Sequence, residues 1–233
     1  MAKLPPLPAS PDSLRDAWEN LGISFTANES GVVNADPERT LLASLREFQD
    51  DRKLLKLVLA WLTSFGDLVH VERIKALAGD LSAGELAWLG GLAMHQVESS
   101  ADRRWQTVVD FVKKRLGTPM PQFQTSKLDE LQTQRVGVDE HFRCFGLMLP
   151  LLEVADMKKI RLRGDTLKGS MWFRMRALFG TNWRADVAVT MLLDSAKTSY
   201  QAGRVLGCST ETAYRNWNSL LEAGLPTLFK DVA

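Results

Sequence analysis

Apolar side chains recur at helical spacing through most of this chain, and this pattern restricts the fold more than any other feature of the sequence. Between Asp51 and Gly66, for example, leucine and valine occupy one face of an α-helix, at positions 54, 55, 58, 59 and 62. Similar patterns elsewhere are bounded by capping residues and by glycine. No two segments have the alternation expected of a convincing strand pair. The sequence therefore predicts an all-α fold.

Capping residues set the limits of the predicted helices. Asp12 is predicted to cap the first helix, and Asp36, followed by proline, the second. Ser82 is predicted to cap a later helix, with Glu85 completing a capping box. The helices predicted in this way cover 12–21, 37–48, 51–66, 71–79, 82–96, 100–117, 139–155, 167–180 and 183–195.

The chain has 233 residues, of which 45% are hydrophobic, and this allows one large domain or two smaller ones. Two helical domains are predicted, with a flexible proline-rich arm before them and a proline-containing linker or long loop between them. A degenerate three-helix module, a candidate for packing or dimerisation, is expected inside the first domain. The respective boundaries are 1–11 for the arm, 12–117 for the first domain, 118–138 for the linker, 139–233 for the second domain and 53–95 for the module.

Charge and cysteine usage suggest where the chain acts. The formal net charge is +1, but residues 1–155 carry an excess of acidic groups and residues 156–233 an excess of basic groups, which suggests different partners for the two parts. Cys144 and Cys208 are far apart in sequence, as in reduced intracellular proteins. No apolar run is long enough to cross a bilayer, and MAKLPPLPASP has no signal-peptide core. We therefore expect a cytoplasmic protein with no membrane partner.

Motifs for catalysis are absent from the sequence. It contains no phosphate-binding glycine-rich loop, no Gly-x-Ser-x-Gly elbow and no His-Glu-x-x-His helix. The adjacent acids Asp50 and Asp51 point to different faces of a helix, so they are expected to be caps and solvent-exposed charges. His141 and Cys144 could share a helix face but form at most half a metal site, and packing is the favoured interpretation. We therefore expect no enzyme activity, no cofactor and no metal.

The segment AKTSYQAGRVLGCSTETAYRNWNSLLEAGL, near the C-terminal end, is the most informative part of the chain. Thr198 is predicted to cap a helix, with Gln201 completing a capping box. Gly207 is placed to end that helix in the left-handed conformation, and Ser209 to cap the next one. With the helix before Thr198, these helices form the pattern of a helix-turn-helix, whose last helix enters the DNA major groove by its N-terminal half.

The polar side chains of this segment have the chemistry needed to contact DNA. Arg215 can make a two-pronged contact with guanine or clasp a phosphate, and Asn218 can read adenine or bond a phosphate. Hydroxyl groups bond phosphates, and a threonine methyl can meet the methyl of thymine. The predicted DNA-binding residues are Thr198, Tyr200, Ser209, Thr210, Thr212, Tyr214, Arg215 and Asn218. A preceding basic run could either add backbone contacts or be a solvated face; it comprises Lys158, Lys159, Arg161, Arg163, Lys168, Arg174 and Arg176.

The segment 184–225 resembles the winged-helix transcriptional regulators of bacteria. The resemblance is carried by Leu206-Gly207, Ser209, Thr212, Tyr214-Arg215, Leu220 and Ala223-Gly224-Leu225. It implies a sequence-specific DNA-binding protein, most often a repressor, that binds double-stranded DNA as a homodimer on a palindromic site. The family usually continues into a β-hairpin wing, but the remaining PTLFKDVA is too short for two full strands, so the wing is expected to be short or absent.

A second function of a different class stays open. The stretch from Leu178 to Asp186 resembles the corresponding part of regulators found near toxin–antitoxin and abortive-infection genes. That resemblance implies a protein-binding antitoxin or adaptor, in which the N-terminal domain holds a protein partner. The helix-turn-helix would then be auxiliary or structural.

Overall fold

The computed structural model describes residues 10–25, 34–100, 102–118, 120–123, 126–153 and 157–225. Within these ranges the chain is built from α-helices and short 3-10 turns, with no β-strand, which confirms the all-α prediction. The helices are α1 (Pro11–Asn20), α2 (Pro37–Ser44), α3 (Arg52–Phe65), α4 (Val71–Leu77), α5 (Ala83–Ser100), α6 (Gln106–Leu116), α7 (Lys127–Val136), α8 (Glu140–Arg143), α9 (Arg163–Gly169), α10 (Met171–Phe179), α11 (Trp183–Leu192), α12 (Ser199–Leu206) and α13 (Thr210–Glu222).

The first helix begins earlier than its sequence pattern predicts. Ser10, not Asp12, is the N-cap of α1, because the Ser10 hydroxyl accepts a hydrogen bond from the Ser13 backbone N–H at 3.2 Å and Ser13 completes a capping box. Pro11 is therefore the first helical residue and does not belong to the predicted arm, of which residues 1–9 lie outside the described ranges. Asp36 caps α2 as predicted, accepting from the Arg39 N–H at 3.2 Å.

Aromatic side chains form the centre of the core where α1, α3 and α10 meet. Trp18 packs edge-on against Trp61 at 4.9 Å between ring centroids, Trp61 stacks on Phe65 at 5.6 Å, and Phe65 stacks on Phe173 at 5.6 Å. The buried apolar residues from Leu14 to Leu225 form one contiguous cluster that includes members from both predicted domains. The division into two domains is not tested by this packing and stays a prediction.

Two adjacent glycines let the chain after α7 pack directly on α5. A Cβ atom at Gly90 would lie 2.4 Å from the ring of Phe145, and one at Gly91 would lie 2.2 Å from the ring of Phe142. Both rings are fully buried. Side chains at these two positions would overlap the rings, so the glycine pair is what allows this close approach.

The middle of the chain departs most from the sequence-based expectation. The predicted linker contains α7, which begins at the capping box of Ser126 and Asp129 and is fastened to α3 by an ion pair between Asp129 and Arg52 at 2.5 Å. The predicted helix over 139–155 is wrong, because α8 ends at Arg143 and the chain turns at Gly146. The apolar residues that suggested a helix fill the core from an irregular segment, namely Phe142, Phe145, Leu147 and Leu149.

The remaining boundaries differ in smaller ways. The predicted helix over 167–180 is two helices, α9 and α10, and the buried Ser170 between them caps α10. The second helix ends at Ser44 and not at residue 48.

Residues 226–233, which would carry any wing, lie outside the described ranges. Across the part that is described, no single helix has the length and apolar character to cross a membrane, although the bent pair 52–68 and 71–80 would pass on those two criteria if taken together.

Candidate nucleic-acid interface

The last two helices, α12 and α13, are joined by a tight turn that the sequence predicts residue by residue. The Thr198 hydroxyl accepts from the Gln201 N–H at 3.2 Å and begins α12. Gly207 has a φ of 82°, in the left-handed region, and ends α12. The Ser209 hydroxyl accepts from the Thr212 N–H at 3.1 Å and begins α13. One detail differs, since the Gln201 side chain accepts from the Lys197 N–H at 2.8 Å instead of closing a capping box on Thr198.

The two helices approach closely because small residues meet at their contact. A Cβ atom at Gly203 would lie 3.2 Å from the Cβ of Ala213, and both residues are buried. Leu206 and Leu220 are also fully buried. The apolar faces of α12 and α13 are thus directed inward, and the polar faces are left toward solvent.

The eight residues predicted to contact DNA all keep at least partial exposure. Thr212 and Asn218 are half-buried, whereas the other six are exposed, namely Thr198, Tyr200, Ser209, Thr210, Tyr214 and Arg215. The side chain of Arg215 is 71% accessible, and the two tyrosines are 58% and 57% exposed. Large aromatic rings exposed to this degree on a polar helix face are available to a partner.

The hydroxyl groups in this set are used differently from the long side chains. Ser209 donates to the Thr212 Oγ1 at 2.9 Å in addition to capping α13, and Thr198 caps α12. These three hydroxyl groups are therefore already engaged in hydrogen bonds within the protein, at the N-termini of α12 and α13. Tyr200 and Tyr214 project from the surface with no side-chain hydrogen bond among the described residues. Arg215 has only a long contact of 3.9 Å with Glu211.

The charge of this surface is balanced. Residues 194–222 contain three basic and three acidic side chains. Lys197 is paired with Asp194, and Arg215 approaches Glu211, so Arg204 is the exposed basic group of this region without an ion pair among the described residues. Binding to a polyanion through this surface would therefore depend on a small number of well-placed side chains and not on a strong positive field.

The preceding basic run does not form a single exposed face. Arg176, which the sequence included in that run, is 1% exposed and lies inside the protein. Arg163 is engaged with Asp67 through two hydrogen bonds, and Arg174 donates to the backbone carbonyl of Lys168. The prediction of a surface role for Arg176 is wrong, because its guanidinium is required by buried carboxylates.

Those carboxylates belong to a buried charge cluster that joins α2, α4, α10 and α11. Arg176 Nη1 and Nη2 donate to the two oxygens of Glu38 at 2.7 and 2.8 Å, and Arg176 Nε donates to Asp186 at 3.0 Å. Arg73 Nη1 donates to Glu38 at 2.7 Å and to Asp36 at 2.8 Å. The side chains of these residues are almost entirely inaccessible to solvent.

The cluster is completed by a histidine and an aromatic ring. His70 Nδ1 lies 2.6 Å from an oxygen of Asp186, and the His70 ring packs edge-on against Trp183 at 4.5 Å. The guanidinium groups of Arg73 and Arg176 lie 4.4 and 5.3 Å from the Trp172 ring centroid. Each buried charge therefore has several partners, as burial in a low-dielectric interior requires.

The arginines keep the buried carboxylates ionised. Burial by itself raises the pKa of Asp186, but Arg176, the His70 hydrogen bond and Arg73 outweigh it and hold that pKa far below its ordinary value. Burial likewise raises the pKa of Glu38, and Arg176 and Arg73 bring it below the ordinary value. The two arginines therefore favour the ionised forms of Glu38 and Asp186.

Arg39 connects this cluster to the α12–α13 pair. Its Nη2 donates to the Val205 carbonyl in the last turn of α12 at 2.8 Å, and its Nε lies 3.7 Å from Asp36. The turn between α12 and α13 also packs against α4, since a Cβ atom at Gly207 would lie 3.5 Å from a methyl group of Leu77. Arg176 and Asp186 interrupt otherwise apolar helices, and this is the signal by which the cluster could have been found, but periodicity alone does not identify their partners.

The described residues contain no group of three or more histidine, cysteine or acidic side chains that could hold a metal ion. Cys144 and Cys208 are both free thiols. His141 contacts Glu98 at 3.0 Å and Asp139 at 3.1 Å, so both of its ring nitrogens face carboxylates.

Comparisons of the chain with models of known protein families, with curated proteins and with solved structures found no match.

Proposed function

We propose that the chain is a sequence-specific DNA-binding regulator in which α11, α12 and α13 act as a helix-turn-helix. The observation that carries the proposal is the exposed polar face of α13, presented by a capped helix that crosses α12 at Gly203 and Ala213. A recognition helix needs this combination of a rigid crossing and side chains left free at its N-terminal half.

In this proposal, α13 enters the major groove and Arg215 makes the principal base contact. Arginine suits this task because its planar guanidinium matches the two acceptors of guanine. Tyr214 and Thr210 flank it and contact phosphate or the thymine methyl. Thr198 and Tyr200 at the start of α12 face the phosphate backbone, where a helix N-terminus is favourable for anions.

The proposed protein is a homodimer that represses transcription. Two α13 helices related by a two-fold axis would match two half-sites of a palindrome one helical turn apart. Because the surface has no excess of cations, the proposal expects weak non-specific affinity and an affinity for the palindrome that depends on a few well-placed contacts.

The first test is binding of the purified protein to fragmented genomic DNA, with selection and sequencing at two salt concentrations. Enrichment of one palindromic motif at both concentrations supports the proposal. Weak binding that lacks a motif and disappears as salt rises would indicate phosphate contacts alone. Absence of binding at low salt would overturn the proposal.

Replacing Arg215 by alanine tests the assigned contact. We expect Arg215→Ala to weaken binding to the selected motif by about ten- to a hundredfold and to relax the preference at one base pair, because a two-pronged contact is lost. The matched control is Arg135→Ala, which removes another exposed arginine, on α7. Binding is measured by fluorescence anisotropy, and equal affinities for both variants would remove Arg215 from the interface.

A protein-binding adaptor is the second candidate, and the surface of α7 favours it. Leu128 and Leu131 are 63% and 60% exposed, and Val136 at the end of the same helix is 56% exposed. Leucines on a solvent-facing helix are typical of surfaces that meet another protein. A protein that co-purifies stably with this chain, together with no affinity for nucleic acid, would favour the adaptor over the regulator.

A further inference from the structure

Glu211 is an exposed acidic residue in the first turn of α13, the helix proposed to enter the DNA groove. Its side chain is 80% accessible, which is more than the 71% of Arg215. Phosphate groups repel a carboxylate, so an acidic side chain weakens any contact between this part of α13 and the DNA backbone. The N-terminal half of a recognition helix, however, faces the base edges and not only the backbone.

The packing of α13 directs Glu211 away from the protein. Ala213 and Leu220 are the buried residues of α13 and mark its inward face. Glu211 precedes Ala213 by two residues, which is slightly more than half a helical turn, so the two side chains point in nearly opposite directions. The residues that share the face of Glu211, at spacings of three, four, seven and eleven, are Tyr214, Arg215, Asn218 and Glu222.

Glu211 and Arg215 form a pair of opposite charges on this outward face. The Oε1 atom of Glu211 lies 3.9 Å from the Nε atom of Arg215, one helical turn further along. An exposed pair at this distance contributes little to stability. The contact leaves the second carboxylate oxygen and both Nη atoms without a hydrogen bond among the described residues. Both groups are therefore available to the hydrogen-bonding groups of a partner.

The helix dipole accounts for only part of the position of Glu211. Negative charge is favourable in the first turn of a helix, whichever way the side chain points. The N-terminus of α13 is already capped by Ser209, whose hydroxyl accepts from the Thr212 N–H at 3.1 Å. The dipole therefore favours an acidic residue here, but it does not determine what the outward-pointing carboxylate binds.

The DNA major groove offers a carboxylate two kinds of hydrogen-bond donor. They are the N4 amino group of cytosine and the N6 amino group of adenine. Adenine also presents the N7 acceptor on the same edge, whereas cytosine presents the donor alone. Because a carboxylate only accepts hydrogen bonds, its chemistry matches cytosine better than adenine.

We propose that Glu211 is a specificity-determining residue that reads cytosine, close to the guanine read by Arg215. The inference rests on the proposed DNA-binding function and adds the base composition of the site. An α-helix rises about 1.5 Å per residue, so these two side chains emerge about 6 Å apart, or roughly two base-pair steps of about 3.4 Å. Each half of the palindrome then contains a cytosine and a guanine one or two base pairs apart.

The test compares the DNA motifs that the wild type and Glu211→Gln select from one random library at one salt concentration. The variant replaces the carboxylate by an amide of nearly the same size, and glutamine pairs with both N6 and N7 of adenine. We expect one position in each half-site to change from cytosine to adenine. A residue that only stabilised the helix N-terminus would not exchange one base preference for another.

The matched control is Glu222→Gln, which removes the same charge from an exposed glutamate in the last turn of α13. It should select the wild-type motif, because it lies at the opposite end of the helix.

A further variant, Glu211→Ala, separates the base contact from the repulsion of phosphates. We expect it to bind the wild-type motif about tenfold more weakly, because one base contact is lost. Unrelated DNA should bind to it more tightly than to the wild type, because the repulsion is lost as well. Fluorescence anisotropy measures both affinities.

The outcomes distinguish this inference from the function on which it rests. If the wild type and Glu211→Gln select the same motif, Glu211 does not read a base, and the inference is overturned while the proposed function stands. If the wild type selects no motif, the proposed function fails and the inference fails with it.

Discussion

Arg176 and Asp186 are charged residues in otherwise apolar helices, and both side chains are completely buried. Their burial is tolerated because Glu38, Arg73 and His70 complete the pairing on every side. Helical spacing predicted helices over 167–180 and 183–195, and α10 and α11 lie within these two ranges. Helical spacing does not show which charged side chains form ion pairs with each other. The partners of Arg176 and Asp186 could therefore be identified only from the structure.

Removing one member of the cluster should be costly. We expect Arg176→Met to lower the free energy of unfolding by about 3–5 kcal/mol, because Glu38 and Asp186 would be left buried with too few partners. The control is Arg174→Met on the same helix, where the side chain is half-buried and the expected change is within about 0.5 kcal/mol. Urea unfolding measures both, and equal losses for the two variants would contradict the assigned role.

His95 should make stability depend on pH. Burial, with a smaller effect from the neighbouring His141, lowers the pKa of His95 below its ordinary value, although Asp139 and Glu98 act in the opposite direction. The unfolded chain therefore binds a proton at this residue before the folded chain does. Stability should be fully present above the ordinary histidine pKa of about 6.5 and should fall as the pH drops through that value.

The measurement is urea unfolding between about pH 7.5 and pH 5.5, a window that brackets the ordinary histidine pKa. His95→Gln cannot bind the proton in either state, so its stability should fall less over this window. An identical pH profile for wild type and variant would exclude His95 as the source.

At the scale of elements, local signals in the sequence were sufficient where a cap or a left-handed residue fixes the end of a helix. Ser209 and Gly207 have the roles that their types predict. The helix α7 was missed because it buries little more than Asp129, so it has no apolar stripe to detect. The helix predicted over 139–155 was wrong for the opposite reason, since its apolar residues enter the core from an irregular chain path.

The turn between α12 and α13 can be tested through its glycine. Gly207→Ala should destabilise the protein by about 1–2 kcal/mol, because a Cβ atom is strained in the left-handed conformation. The control, Gly164→Ala, adds the same methyl group inside α9, where nothing lies within 4 Å, and should stabilise by about 0.5–1 kcal/mol. Thermal unfolding compares them, and two changes of the same sign would contradict the assignment.

At the scale of the whole molecule, the buried charge cluster and the contiguous apolar core connect segments on both sides of the predicted linker. Composition and spacing gave the fold class correctly, but they contain no record of contacts between residues a hundred or more positions apart. Arg39 makes such a contact with Val205, across the whole length between α2 and α12.

These long-range contacts predict cooperative unfolding. We expect a single calorimetric transition, with far-ultraviolet circular dichroism and tryptophan fluorescence giving the same midpoint, because the apolar core and the charge cluster contain residues from both halves of the chain. Two resolved transitions would instead support the division into domains at 118–138, with each half holding its own core.

The sharing of carboxylates within the cluster also constrains how this chain can change over evolutionary time. Glu38 serves two arginines and Asp186 serves an arginine and a histidine, so a substitution at one position alters the requirements of at least two others. Tolerated substitutions must then occur in combination, so each residue of the cluster limits the substitutions that are possible at the others. Highly diverged descendants of the same ancestor should therefore retain the spaced signature Asp-x-Glu, His-x-x-Arg, Arg and Asp at positions equivalent to 36–38, 70–73, 176 and 186, long after the exposed surfaces have become unrecognisable.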